Sequence, residues 1–101
     1  MSVRNLDSLF QPATVAVIGA SDRPGSVGQV IWRNLTQGGF QGALWPVNQR
    51  QATVGGVRAW ADVAALPQAP ALAVICTPPA TVPGLIAQLG ARGTRAAIVV
   101  T

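Results

Sequence analysis

The sequence predicts a single Rossmann-like α/β domain over residues 1–101, with a doubly wound and mainly parallel sheet. Several short runs are apolar and β-branched without any alternation of polar residues, which is typical of strands buried on both faces of a sheet. Amphipathic segments of helical periodicity separate these runs. The connections between them are short, as expected for strands and helices that alternate around one sheet.

Four runs predict the strands of the sheet. The first is Thr14–Ile18, which Gly19 closes, and the others cover residues 42–47, 71–76 and 96–100. The last run reaches almost to the final residue, so we expect the chain to be the N-terminal part of a longer protein.

Two helices connect these strands, after a short helical pattern over residues 6–10. Ser26 is the predicted N-cap of the first, whose inner face is expected to carry Val27, Val30, Ile31 and Leu35. Trp32 falls off that stripe, which leaves an exposed anchor or a partly buried edge residue as alternatives. Prolines open the second helix, whose predicted inner residues are Val82, Leu85, Ile86 and Leu89.

Composition excludes several classes of function. The net charge is +4, but the seven arginines are scattered singly, so we expect no nucleic-acid partner. No apolar run approaches the roughly 20 residues that cross a bilayer, and the start of the chain does not resemble a signal peptide. Cys76 is the only cysteine, which fits a reducing compartment, and we expect a cytoplasmic protein.

Cys76 also ends a predicted strand, where a nucleophile could lie. The chain contains no histidine to act as its base, so a small buried hydrophobic residue is the better interpretation.

In a doubly wound sheet the ligand lies beyond the carboxyl ends of the strands, which directs attention to three loops. The first, residues 19–28, joins a strand to a helix. Gly19 permits a sharp turn, Gly25 and Gly28 let backbone approach a bulky group, and Ser21 and Ser26 carry hydroxyls. With the free N–H groups of the helix start, this pattern predicts a phosphate site. The alternative is that the glycines serve only helix–strand packing. Asp22 would repel an anion, so we expect it to form a turn in which it pairs loosely with Arg23.

The second loop distinguishes between nucleotide cofactors. The first loop is not G-x-G-x-x-G, and no acidic residue follows the second strand to hold ribose hydroxyls, which disfavours NAD. Arg50 suits a phosphate on the ribose, so the pattern favours coenzyme A or else NADP, although a solvated loop charge remains an alternative. In the third loop, Thr77, Pro78 and Pro79 predict either a rigid wall beside a base or simple helix initiation.

These motifs together resemble one known family. The stretches are LDSLFQP at 6–12, VAVIGAS at 15–21, GSVG at 25–28, PVN at 46–48 and TPP at 77–79. They are similar to the N-terminal CoA-binding domain of NDP-forming acyl-CoA synthetases (acetate–CoA ligase and succinyl-CoA synthetase alpha-like proteins). The same domain begins related bacterial proteins fused to a GNAT protein acetyltransferase.

The resemblance implies a set of cofactor-binding residues. The first loop would hold the CoA pyrophosphate, the second would lie near the adenosine phosphate, and the third would border the nucleotide or pantetheine. The residues implied are Gly19, Ala20, Ser21, Gly25, Ser26, Val27, Gly28, Asn48, Arg50, Thr77, Pro78 and Pro79. The family usually has proline and lysine after the asparagine, whereas this chain has Gln49 and Arg50, which keeps the charge but loosens the loop.

The resemblance also implies what the chain does not do alone. The family transfers a phosphoryl group through a histidine of a later domain, and this chain has none, so we expect a CoA site without catalytic or metal-binding residues. Expected partners are CoA or acyl-CoA, downstream domains and, as a possibility, further subunits. The alternative function is a NAD(P)-binding domain of an oxidoreductase or of a redox sensor.

Overall fold

The computed structural model describes residues 14–40 and 42–100. Its elements, in chain order, are β1 (Thr14–Ile18), α1 (Val27–Gln37), β2 (Ala43–Val47), β3 (Thr53–Val54), β4 (Val57–Arg58), β5 (Leu72–Ile75), α2 (Val82–Arg92) and β6 (Ala96–Val99). Short 3-10 helices occupy Val63–Ala65 and Pro79–Thr81. The helical pattern predicted for residues 6–10 lies outside the described residues.

The main sheet confirms the predicted Rossmann-like class. Its four strands run parallel in the order β2-β1-β5-β6, and β3 and β4 form a separate antiparallel hairpin. The chain leaves β1 towards β2 on one side and leaves β5 towards β6 on the other. The strand order therefore reverses between β1 and β5, and the crevice of such a sheet opens at their carboxyl ends.

The two helices cover opposite faces of the sheet. Alternate residues of β1 separate two apolar clusters, because successive side chains of a strand point to opposite faces. Ala16 and Ile18 face a cluster that includes Leu89 of α2, whereas Val15 and Val17 face a cluster that includes Trp32 of α1. Both faces of the sheet are thus covered by apolar side chains, which explains why polar residues do not alternate along the strands.

The first helix begins as predicted, and two of its four predicted inner residues, Ile31 and Leu35, pack against the cluster of Val15 and Val17. The Ser26 Oγ accepts a hydrogen bond from Gln29 N at 3.1 Å, which confirms the N-cap. Val27 and Val30 are exposed, whereas Gly28 and Trp32 are the buried residues of the helix. Trp32 is therefore more buried than either alternative, and the exposed anchor is wrong, because Gly28 packs directly on the Gly19 backbone and this contact orients the helix.

The other edge of the domain also departs from prediction. Leu89 is buried, but Ile86 was expected on the inner face of α2 and is exposed. The last strand was expected to be buried, yet Ile98 and Val99 are each 45% exposed. Among the described residues β6 pairs only with β5, so it is an edge strand with little cover. Neither helix, nor any other in residues 14–40 and 42–100, combines the length and apolarity needed to cross a bilayer.

Candidate functional site

A cavity of about 560 Å³ opens at the carboxyl ends of β1, β2 and β5. This is the edge that the reversal of strand order selects for ligands. The cavity lies on the α2 face of the sheet, because Leu85 of α2 and Val63 of the preceding 3-10 helix form its far wall. Its lining residues are Ile18, Gly19, Val47, Asn48, Gln49, Arg50, Ala61, Asp62, Val63, Thr77, Pro78, Thr81, Leu85 and Gln88.

Gly19 connects this cavity to the first loop. Its φ of +92° is a conformation that residues with a side chain rarely adopt, and its N–H donates to Val47 O at 2.9 Å. A Cβ at Gly19 would lie 3.1 Å from both Cys76 C and Thr77 Cγ2. The positive φ confirms the predicted sharp turn at Gly19, and the first and third loops approach each other closely at this point.

The start of α1 forms the other half of the candidate site, on the opposite face of the sheet. As at any helix start, the N–H groups of Val27 and Gly28 lack an intrahelical acceptor and are available to an anion. The Ser26 hydroxyl donates to Arg23 O at 2.8 Å, and Gln29 Oε1 accepts from Gly25 N at 3.2 Å. Ser26 thus acts as the N-cap, and because its hydroxyl proton is donated to Arg23 O, it is not a free donor for a ligand.

Ser21 differs from Ser26 in the bond that it makes. Its Oγ accepts from Arg23 N at 2.9 Å, which leaves the hydroxyl proton for a ligand oxygen. Ser21 is therefore better suited than Ser26 to donate a side-chain hydrogen bond to a phosphate.

Asn48 fastens the second loop to the first. Its Nδ2 donates to Ala20 O at 2.9 Å, and its Oδ1 accepts from Arg50 N at 2.7 Å and from Gln51 N at 2.8 Å. Asn48 therefore fixes the shape of the cavity edge, and both polar atoms of its side chain already form hydrogen bonds within the protein. Arg50 is exposed and lines the cavity, so its guanidinium is accessible to a ligand.

The third loop forms a rigid rim. The Thr81 hydroxyl donates to Pro78 O at 2.6 Å, so the 2.6 Å contact between the two threonine hydroxyls has Thr77 as donor. Pro79 begins the 3-10 helix that leads into α2, and it lies outside the cavity lining. Of the two roles predicted for this loop, Pro79 has the role of starting a helix, whereas Thr77 and Pro78 border the cavity.

Cys76 directly follows β5 beside this rim and is partly buried against the α1 face of the sheet. Burial raises the pKa of the Cys76 thiol above its ordinary value. The thiol stays protonated at neutral pH, which agrees with an inert residue rather than a nucleophile.

The structure divides the predicted residues into two groups. Those that line the cavity are Gly19, Asn48, Arg50, Thr77 and Pro78. Those that form the first loop and helix start, or lie behind the rim, are Ala20, Ser21, Gly25, Ser26, Val27, Gly28 and Pro79. Gly28 is packed against Gly19, so helix–strand packing accounts for that glycine.

The far wall of the cavity contains residues that the sequence did not indicate as part of a site. Thr81, Leu85 and Gln88 recur at helical spacing on one side of α2 and the turn before it, a pattern that resembles an ordinary core stripe. Arg92, at the end of α2, holds this wall in place: its Nη1 donates to Val63 O and its Nη2 to Leu66 O, at 2.6 and 3.0 Å. No local motif marks these residues, because the chain brings them together only by folding.

Comparison with known families decides the identity of the domain. A family profile described as "CoA binding domain" matches residues 13–101. The chain belongs to the CoA-binding domain family. Coenzyme A is therefore the cofactor, and NADP, which the second loop left as the alternative, receives no support.

Individual relatives of this CoA-binding domain are much longer proteins. This chain is 38% identical over 98 residues to a trans-feruloyl-CoA synthase of an unknown prokaryotic organism, and the match covers 97% of this chain and 14% of that protein. It is 35% identical over 95 residues to the alpha subunit of acetate–CoA ligase [ADP-forming] I of Pyrococcus furiosus, covering 90% of this chain and 21% of the subunit. The chain thus spans about a seventh to a fifth of these relatives.

A solved structure agrees with the fold and with the family. The dinucleotide forming acetyl-coenzyme A synthetase 1 of Ca. Korarchaeum cryptofilum, in complex with phosphate and ADP, superposes with a TM-score of 0.89 and 36% identity. The match covers 95% of this chain and 21% of that one.

Proposed function

We propose that this CoA-binding domain supplies the coenzyme A site of an NDP-forming acyl-CoA synthetase, within a protein that carries further domains. The observation that supports it most directly is that Gly19 both lines the cavity at the sheet edge and packs against Gly28 at the start of α1, so the two parts of the site adjoin. A ligand with a diphosphate at its middle and a bulky nucleotide at one end matches such a divided site.

In this proposal the first loop holds the diphosphate. The Val27 and Gly28 amides and the Ser21 hydroxyl donate hydrogen bonds to its oxygens, and the α1 dipole adds a favourable partial charge. Gly25 has a φ of +78° and no atom within 4 Å of a Cβ, so it leaves room for the ligand beside the loop.

The nucleotide end occupies the cavity on the α2 face. The apolar side chains of Val63 and Leu85 and the ring of Pro78 suit a flat base, which mostly apolar pockets accommodate. Arg50 stands at the exposed rim, where a bidentate pair with the 3′-phosphate would distinguish coenzyme A from its dephospho form.

Chemistry at the acyl group belongs to other parts of the parent protein. This chain has no histidine, so it offers no group for phosphoryl transfer through that residue. Relatives named as synthases and ligases favour a synthetase parent. We also propose that residues 1–101 form one domain, that it contacts downstream domains or further subunits, and that the protein is cytoplasmic.

Thermal shift with a matched set of nucleotides tests the proposal. Coenzyme A is expected to raise the melting temperature of the chain more than dephospho-CoA, NADP or NAD does, because ligands stabilise the state that binds them. In Arg50→Ala the advantage of coenzyme A over dephospho-CoA should fall from about tenfold in affinity to none, and Arg50→Lys should retain part of it. Equal stabilisation by dephospho-CoA in the unaltered chain would remove Arg50 from the site, and none by coenzyme A would refute the proposal.

A further inference from the structure

The acidic residue of the first loop is turned towards a neighbouring hairpin. Asp22 Oδ1 accepts a hydrogen bond at 2.8 Å from the N–H of Gly55, in the turn between β3 and β4. A carboxylate left free in this loop would repel the phosphates of a ligand. The bond to Gly55 instead directs the carboxylate to a backbone donor and joins the loop to a segment that is distant in sequence.

A second set of bonds secures the same loop beside Asp22. Gln51 Oε1 accepts from Asp22 N at 3.2 Å and from Asn48 Nδ2 at 3.3 Å, and the same Asn48 Nδ2 donates to Ala20 O at 2.9 Å. The residues on both sides of Ser21 are therefore tied to the segment 48–55. We call these bonds of Asp22, Gln51 and Asn48 the loop brace.

The β3–β4 hairpin, which bonds to Asp22, is packed against the core of the domain. Its Val54 is fully buried in the α1-side cluster, and Ala59 N donates to Ala52 O at 2.9 Å. Gly55 has a φ of +57° and lies against the Trp32 indole, where a Cβ would come 2.8 Å from Nε1. The brace thus links the first loop, through the hairpin, to the core beneath α1.

We propose that Asp22 and Gln51 are positioning residues that fix the first loop in its ligand-binding shape before coenzyme A arrives. They make no contact with the ligand and act through Ala20, Ser21 and the start of α1. The benefit is preorganisation, because a loop that is already ordered loses little entropy on binding. The inference rests on the proposed function, since it assumes that this loop holds the diphosphate.

Binding of two ligands separates positioning from general stability. In calorimetric titration of the full chain, Asp22→Ala should weaken coenzyme A about tenfold, as expected for loss of a charge-assisted bond. Adenosine 3′-monophosphate, which lacks the diphosphate, should bind Asp22→Ala as well as it binds the unaltered chain. Asp22→Asn keeps the acceptor oxygen and should restore most of the coenzyme A affinity. Gln51→Ala should act as Asp22→Ala does, whereas Gln68→Ala, at an exposed glutamine before β5, should change nothing.

Two results would overturn the loop brace. Tighter binding of coenzyme A by Asp22→Ala would mean that the carboxylate acts as a repulsive charge. An equal loss for both ligands would mean that the residue only stabilises the fold.

A measurement without ligand keeps the brace testable if the proposed function fails. Amide hydrogen exchange of the ligand-free chain should become faster at residues 20–26 and at Gly55 in Asp22→Ala, with β5 unaffected. Unchanged exchange in the loop would overturn the brace whether or not coenzyme A binds. Faster exchange in a chain that binds no coenzyme A would support the brace and reject the proposed function.

Discussion

The two faces of the sheet meet the ligand edge in different ways. On the α1 side, residues 19–28 form a loop that is held by its own hydrogen bonds and by the loop brace, and that offers backbone amides. On the α2 side, an open cavity is walled by side chains from Val63, Leu85 and Gln88. Backbone amides recognise charge whatever the neighbouring side chains are, whereas the cavity depends on shape. The divided site therefore suits a ligand with one strongly charged part and one bulky part.

The largest effect is expected where α1 packs on the first loop, at the contact between Gly28 and Gly19. A Cβ at Gly28 would collide with the Gly19 carbonyl, and because the obstacle is backbone, Gly28→Ala should lower the free energy of unfolding by about 3 kcal/mol or more. Gly90→Ala in α2 meets no atom within 4 Å and should raise it by about 0.5 to 1 kcal/mol. Urea unfolding of both variants measures the difference. A tolerated alanine at Gly28 would contradict the close contact.

A smaller effect is expected on the cavity side. Arg92→Ala removes two hydrogen bonds from a charged group to the Val63 and Leu66 carbonyls and should cost about 2 kcal/mol in urea unfolding. Because the wall loses its support, adenosine 3′-monophosphate should bind more weakly, while amide exchange in residues 20–26 stays unchanged. Arg95→Ala, at an exposed arginine nearby, is the control. Faster exchange in the loop would mean that the two halves are not independent.

The smallest effect is expected at Cys76, which lies between the first loop and the rim of the cavity. Burial raises the pKa of the Cys76 thiol, so its alkylation by iodoacetamide should be slow near neutral pH and speed up at a higher pH than in the unfolded chain. The buried neutral thiol also stabilises the fold below its unfolded pKa, and this contribution is lost as the pH rises through the folded value. Rapid alkylation at neutral pH would show an accessible thiolate at the end of β5.

Local patterns predicted one half of the site better than the other. The run from Val15 to Ile18, the Ser26 cap and the glycines of the first loop are all contiguous in sequence, and the structure confirms the strand, the cap and the turn at Gly19. The cavity wall draws on the segment 61–66 and on α2, which meet only through tertiary contacts such as that of Arg92. Its members have no shared motif.

Packing also overrode the periodicity of α1. The apolar spacing favoured Val27 and Val30 as inner residues, but the direct contact between Gly28 and Gly19 orients the helix so that Trp32 is buried instead. Helix–strand packing was the alternative interpretation of the loop glycines, but hydropathy treats glycine as a neutral position and could not indicate that this contact would bury Trp32. The edge exposure of β6 was missed for a related reason, since an apolar run does not indicate whether a strand has one neighbour or two.

The central claim is that backbone amides at the start of α1 hold the diphosphate of coenzyme A. Titration of the isotopically labelled chain with coenzyme A, followed by amide NMR shifts, tests it most directly. The account predicts large shifts for the N–H groups of Val27 and Gly28, with smaller ones along the cavity at Asn48 and Thr77. Saturable binding that leaves Val27 and Gly28 unshifted would contradict it.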